Sequence, residues 1–234
     1  MWESSHNSHY NGLQTTVEKR FGHGFSLLFN HTWSKTIDDY GETNPFSRRF
    51  DYAVSDDDVK HTVKFSNIWE IPRLKMQGVS NKILNGWSVN SIVAWRSGFP
   101  FSVFSGNDNS LTGVNHDRAD FLGVDASLDP GRPHGELIQQ WFDPSRFVQN
   151  AKGTFGNSGR NILRGPGLFN TDLGVLKNTG IAEQVNVQFR AEFFNIFNNV
   201  NFYGPDNYLT SDNTGRIFGA RSPRILQFGL KILF

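Results

Sequence analysis

Apolar and polar residues alternate along this chain with a period of two. In 184–193 the odd positions are Val185, Val187, Phe189, Ala191 and Phe193, and the even ones Gln184, Asn186, Gln188, Arg190 and Glu192. Successive side chains of a strand point to opposite faces, so this segment predicts a strand with one wholly apolar side. At the chain's end Leu226, Phe228, Leu230, Ile232 and Phe234 share a side, opposite Gln227, Gly229 and Lys231, with Ile225 and Leu233 as apolar intruders on the second. The same reading predicts seven strands, near 12–20, 25–33, 60–71, 86–104, 170–177, 184–197 and 224–234. In 86–104 one phase runs from Trp87, Val89, Val93 and Trp95 to Phe99, Phe101 and Val103, broken by Ser91 and Ser97. Soluble strands average five or six residues, so a strand of that length is out of scale for one. No stretch longer than two turns carries helical periodicity, and the chain reads as all-β.

The connections add a second pattern. Short ones (21–24, 72–85, 178–183) alternate with long ones (34–59, 105–169, 198–223). An antiparallel up-and-down sheet then carries its short turns at one end and its long loops at the other, the asymmetry of outer-membrane barrels. An 11-residue strand rises about 36 Å and, tilted by ~45°, spans about 26 Å, close to the ~25 Å apolar band of such barrels. Trp33, Trp69, Trp87, Trp95, Phe193 and Phe234 fall at strand ends, where aromatic girdles sit, and the six Trp as a set are expected there. The expectation is therefore one unit over 1–234, a segment of a transmembrane β-barrel with about seven long strands and long extracellular loops. Val185, Val187, Phe189, Ala191, Phe193, Leu226, Phe228, Leu230 and Ile232 would face lipid. Arg96, Gln188, Arg190, Glu192 and Lys231 would face the lumen.

Composition narrows the chemistry. With 23 basic and 22 acidic residues the formal charge is +1, which argues against nucleic acid as a partner. The absence of Cys excludes disulfides, thiolate metal sites and Cys nucleophiles. Mean hydropathy is −0.45 and no apolar run nears the ~18 residues of a spanning helix, which leaves spanning strands open. The start, Met1 to His6, has neither the charged nor the apolar region of a signal peptide. His6 and His9 stand three apart with no helix to converge them on a metal, and read as a solvated terminus. Asp56, Asp57 and Asp58 lack the alternating ligands and closing Glu of a calcium loop, and read as a solvated loop face. Gly153–Arg160 is Gly-rich without the Gly-Lys-Ser/Thr of a phosphate loop, and reads as a packed turn. No Gly-x-Ser-x-Gly elbow occurs. No catalysis, metal or cofactor is expected.

Several stretches carry a resemblance. They are Tyr10-Asn11-Gly12-Leu13-Gln14 with Glu18-Lys19-Arg20-Phe21, His31-Thr32-Trp33-Ser34-Lys35, Gly86-Trp87, and Ser97-Gly98-Phe99-Pro100-Phe101. Further on come Gly156-Asn157-Ser158-Gly159-Arg160-Asn161 with Arg164-Gly165-Pro166-Gly167, and Phe189-Arg190-Ala191-Glu192-Phe193-Phe194-Asn195-Ile196-Phe197-Asn198. The final strand, 224–234, looks like an outer-membrane assembly signal ending in Phe234. In this order the set resembles the C-terminal part of the barrel of TonB-dependent receptors of the Oar-like, acidobacterial type. That resemblance implies a location in the outer membrane of a Gram-negative cell and energy-coupled uptake of a bulky nutrient. It implies outer-membrane lipid and lipopolysaccharide, the barrel-assembly machinery, a plug, further N-terminal strands and cargo as partners, with the TonB complex reached only through the plug. Family members carry a signal peptide, a plug and a 22-stranded barrel, so this text is expected to be a fragment that does not close alone. Two rival readings share parts of the pattern: a soluble β-sandwich that binds carbohydrate, and a passive porin or adhesin barrel.

Overall fold

A computed structural model describes residues 6–41 and 43–234, so the expectations drawn from Met1 to Ser5 lie outside the described residues. The strands are β1 (Ser8–Gly22), β2 (Phe25–Asp38), β3 (Ala53–Val54), β4 (His61–Glu70), β5 (Trp87–Arg96), β6 (Pro100–Phe101), β7 (Asp120–Phe121), β8 (Phe147–Val148), β9 (Leu163–Arg164), β10 (Leu168–Ala182), β11 (Val185–Phe194) and β12 (Ile225–Leu233). The seven long ones form a single antiparallel meander in the order β1-β2-β4-β5-β10-β11-β12, and β3 adds to β2. β1 and β12 each have one neighbour, so the sheet is open at both edges.

Strand pairing follows from the predicted alternation; β1, β2 and β10 run longer than expected, and β4, β5, β11 and β12 shorter. β1, expected only over 12–20, runs 15 residues and pairs with β2 from Ser8 opposite Asp38 to Gly22 opposite Phe25. His23 and Gly24 both have positive φ, the geometry of a two-residue hairpin whose twist matches the strands. β10 likewise reaches 15 residues and turns into β11 through Glu183 and Gln184. Among the described residues α-helix is confined to three short pieces, α1 (Arg48–Asp51), α2 (Gly78–Leu84) and α3 (His134–Gln139), beside a single 3-10 turn at Pro144–Arg146. The connections 23–24, 71–86 and 183–184 lie at one end of the sheet; 39–60, 97–167 and 195–224 lie at the other.

One expected strand is cut short. The phase read over 86–104 stops as a sheet strand at Arg96. A Cβ on Gly98 would sit 1.8 Å from the Gly165 carbonyl oxygen, so the backbones meet there and the chain leaves the sheet. Pro100, without an N–H, then opens the two-residue β6, which pairs with β9 rather than with a sheet neighbour.

The buried core lies in the long loops. Val103, Ala119, Ala126, Phe142, Phe147 and Leu163 form it, with Phe101, Phe121, Trp141 and Leu209 packed against them. Trp141 thus departs from the expectation that all six Trp mark strand ends; its indole N–H donates to the Arg164 carbonyl at 2.8 Å inside the loop layer. The apolar rows of the seven strands stand on one layer of sheet, and the second sheet of the sandwich reading is not found among the described residues.

Candidate functional site: two faces and a loop layer

Register fixes which side chains share a face. Phe193 stands opposite Leu173 and Leu226, Ala191 opposite Val175 and Phe228, Phe189 opposite Lys177 and Leu230, and Val187 opposite Thr179 and Ile232. Through β10 this face continues to Trp87, Val89, Val93 and Trp95 on β5, then to Val63, Phe65 and Trp69 on β4. It ends on Phe25, Leu27, Phe29 and Trp33 of β2 and Leu13 and Val17 of β1. Apolar side chains therefore recur on one face of all seven strands, interrupted by Thr15, His31, Asn67, Ser91, Thr171 and Lys177, and the nine residues expected to meet lipid all lie on that face.

The opposite face is richer in polar side chains, although Leu28, Ile68, Ile92 and Leu176 also stand on it. It carries Gln14 and Thr16, Asn30 and Thr32, Thr62, Lys64 and Ser66, Asn90 and Arg96, Asn170 and Asp172, and then Gln188, Arg190 and Glu192. Gln188 lies opposite Lys231 and Glu192 opposite Gln227, so four of the five expected lumen residues come together on β11 and β12. Arg96 shares the face but stands apart at the loop end of β5, its guanidinium 4.1 Å from the Phe99 ring. Arg190 Nε donates to Gln188 Oε1 at 2.7 Å, and Gln188 Nε2 donates to Asn178 Oδ1 at 2.9 Å, linking polar side chains along and across the strands. Phe234 follows β12 and is fully exposed.

Aromatic residues border the apolar face in two rows. Trp33 and Trp95 stand near the loop end with the ring of His61 close to both, at 6.4 and 6.2 Å between centroids. Ring nitrogens of His31 and His61 lie 3.2 Å apart, within hydrogen-bond reach of each other. Phe25, Trp69 and Trp87 form the row at the turn end, eight residues further along the same strands. Eight residues rise about 26 Å, or roughly 19–22 Å along the normal at the tilt of membrane strands.

Above the loop-end row, two long loops are joined by buried ion pairs. Segment 38–58 supplies the acids and segment 118–164 the arginines. Arg118 Nη1 lies 2.5 Å from Asp51 Oδ1, Arg160 Nη1 2.5 Å from Asp38 Oδ1, and Arg164 Nη2 2.5 Å from Asp58 Oδ2. Arg160 also reaches Asp56 Oδ2 at 3.0 Å. Arg118 and Asp51 are almost wholly enclosed, at 2% and 1% side-chain exposure. Burial pulls the Arg118 guanidinium below its ordinary range despite Asp51, whereas at Arg160 the hydrogen bonds from Asp38 and Asp56 outweigh burial and hold it above. Asp58 further accepts the Thr36 backbone N–H at 2.7 Å. The acidic run 56–58 is thus a solvated face only in part: Asp56 and Asp57 are exposed while Asp58 is 1% exposed, and Asp56 and Asp58 bind arginines of the other loop.

The packed turn over 153–160 is present and tight. A Cβ on Gly156 would lie 1.8 Å from the Arg118 carbonyl oxygen, and Ser158 and Arg160 are buried. Asn161 follows in a left-handed conformation, its amide donating to the Val54 carbonyl at 2.8 Å. His6 Nδ1 lies 3.3 Å from Asp39 Oδ1, which also accepts the Asn7 N–H at 2.7 Å, so His6 and Asn7 are tied to the loop layer. Reading the sequence missed the arginine–aspartate set entirely. The signal available was Gly, Asn and Arg crowded into 156–167, with three Asp in 56–58 and no other use for either.

A family model described as an outer membrane beta barrel domain matches residues 1–227. No curated protein and no solved structure matches the chain.

Proposed function

The chain belongs to the outer membrane β-barrel domain family, and on that premise we propose that its seven long strands form part of the wall of a TonB-dependent transporter. The apolar face meets lipid and the polar face lines the lumen. The observation that carries this reading is the pair of faces itself: one on which apolar side chains predominate over seven strands between two aromatic rows, backed by a surface rich in Asn, Thr, Gln and charge. A charged side chain on a lipid face near midplane costs about 2–4 kcal/mol, which fits charges held on the other side or, as with Lys19 and Lys177 of the apolar face, at the turn-end border beside Phe25 and Trp87.

Energy coupling and cargo rest on the resemblance carried by the loop and strand text, together with the loop layer's construction. Loops bound to each other by buried ion pairs hold a fixed surface at the outer mouth, which lowers the ordering cost of capturing a bulky solute. Lipopolysaccharide and lipid surround the wall, the assembly machinery reads the last strand with Phe234, and a plug relays force from the TonB complex. The chain itself has no catalytic role and no cofactor. The test is genetic: deleting the gene and deleting TonB should give the same growth defect on the same scarce nutrient. A defect of the gene deletion that persists when TonB is intact but the nutrient is small and abundant would favour the passive porin instead.

A further inference from the structure

The turn end of the sheet holds one connection that is out of keeping with its neighbours. Two of the three turns there have two residues; the third, 71–86, has sixteen and contains α2. It bears Arg73, Lys75 and Lys82 and no acidic residue. Every side chain from Ile71 to Leu84 is exposed, including Leu74, Met76, Val79, Ile83 and Leu84, with Val79 73% accessible. With Ile71 these make six large exposed apolar side chains in sixteen residues, a density that a purely water-facing turn does not call for.

The segment is nonetheless built, and it is built on one side of the sheet. The Asn85 side chain clips its ends together, accepting the Leu74 N–H at 2.6 Å and donating to the Leu74 carbonyl at 2.9 Å. Trp87, from the turn-end aromatic row of the apolar face, donates its indole N–H to the Ile83 carbonyl at 2.9 Å. Lys177, on the same face, donates to the Asn85 carbonyl and lies 5.6 Å from the Trp87 ring. α2 is thereby fastened beside the apolar face, at its lower border.

We infer that segment 71–86 is an interfacial membrane anchor, taking the headgroups of anionic glycerophospholipids in the leaflet on the turn side. Val79 and Ile83, four apart on one side of α2, enter the acyl boundary together with Leu74, while Arg73, Lys75 and Lys82 meet the phosphates. Two observations commit the occupant to lipid: the charge is of one sign, and the apolar residues continue a surface that already ends there in Trp69 and Trp87. Each basic residue near an anionic surface contributes about 1 kcal/mol, so neutralising three weakens the attraction on the order of a hundredfold.

This inference rests on the membrane-wall reading above, and the test separates the two. Because the chain has no Cys, a single Cys at Val79 (V79C) or Val187 (V187C) takes one environment-sensitive fluorophore without competition. The labelled protein is taken from the outer membrane together with the strands that complete its wall, and is reconstituted into vesicles of phosphatidylcholine alone or of equal parts phosphatidylcholine and phosphatidylglycerol, each containing spin-labelled lipid. The V79C probe should be quenched by a headgroup-proximal spin label, far more in the anionic vesicles, and that preference should vanish in R73Q/K75Q/K82Q while V187C quenching stays. A wet, unquenched V79C probe beside a quenched V187C probe overturns the anchor and spares the wall. An unquenched V187C probe overturns the wall and the anchor with it. A V79C probe that is dry yet unquenched in both lipids assigns the segment to a second copy or a protein partner, and overturns the lipid assignment.

Discussion

Gln188 and Phe189 are adjacent in sequence and stand on opposite faces of β11, one beside Lys231 and Asn178, the other beside Lys177 and Leu230. An arginine at 188 enters a surface that already holds Arg190, Glu192 and Lys231; an arginine at 189 enters the apolar one. On the proposed facing, Phe189→Arg should cut the yield of assembled membrane protein by an amount equivalent to about 2–4 kcal/mol, and Gln188→Arg should leave it nearly unchanged. Equal yields on heat-modifiability gels would count against that facing. The enclosed pair Arg118–Asp51 makes a different claim. Removing one partner of a buried pair leaves an unpaired charge and costs about 3–5 kcal/mol, whereas replacing both by apolar residues of similar volume is close to neutral. Arg118→Ala should therefore expose the 97–167 loop to protease, and Arg118→Met with Asp51→Leu should restore much of the protection. Arg118 also donates to the carbonyls of Ser158 and Phe50, so the rescue will be partial.

Among elements, the strands were largely legible and the loops were not. Alternation is a local signal: Val185 to Phe193 carry it in ten residues, and pairing with β10 and β12 only confirms the phase. The true length of β1 was hidden because Tyr10, Gly12, Gln14 and Thr16 contrast weakly with Asn11, Thr15 and Lys19; pairing with β2 holds those residues in the sheet. The false continuation beyond Arg96 arose because Phe99, Phe101 and Val103 keep the period while Phe101 and Val103 serve another core and Phe99 lies against the Arg96 guanidinium. The loop layer depends on partners 67, 106 and 122 residues apart, and nothing local encodes such pairings. Its carboxylates give it a pH dependence. Backbone N–H donors from Asn7, Gly113 and Ser127 hold Asp39, Asp108 and Asp125 below the usual carboxylate value, and the Ser145 hydroxyl does the same for Asp143. Folded values below the unfolded one mean the stabilisation is complete above about pH 4 and is lost as pH falls through the depressed values. Hydrogen exchange, corrected for its intrinsic pH dependence, should show loop peptides losing protection on acidification while β10 and β11 peptides keep theirs. Parallel loss in both would mean the loops are not a separately titrating unit.

For the molecule as a whole, direction decides what the open sheet can join. β1 runs toward the turn at 23–24, and β12 runs from the long 195–224 connection toward the same end, so the two edge strands point the same way. They cannot pair antiparallel with each other, and a second copy in the same membrane orientation could join β12 to β1 only in parallel. An antiparallel closed barrel therefore needs an odd number of further strands, the first and last running opposite to these edges, which brings the total to the even count of bacterial barrels. Until those strands are supplied, two rows of backbone N–H and C=O groups face hydrocarbon, each unsatisfied group costing several kcal/mol. The exposed strand from Ile225 to Leu233, nine residues of mostly Leu, Ile and Phe, is then a template for edge-to-edge pairing. A polypeptide of these 234 residues alone, placed in bilayers, should form heterogeneous, protease-sensitive oligomers rather than a heat-modifiable monomer. A monodisperse, protease-resistant monomer on native gels would show that the edges close by some route other than strand pairing, and with it the reading of the sheet as one part of a larger wall would fall.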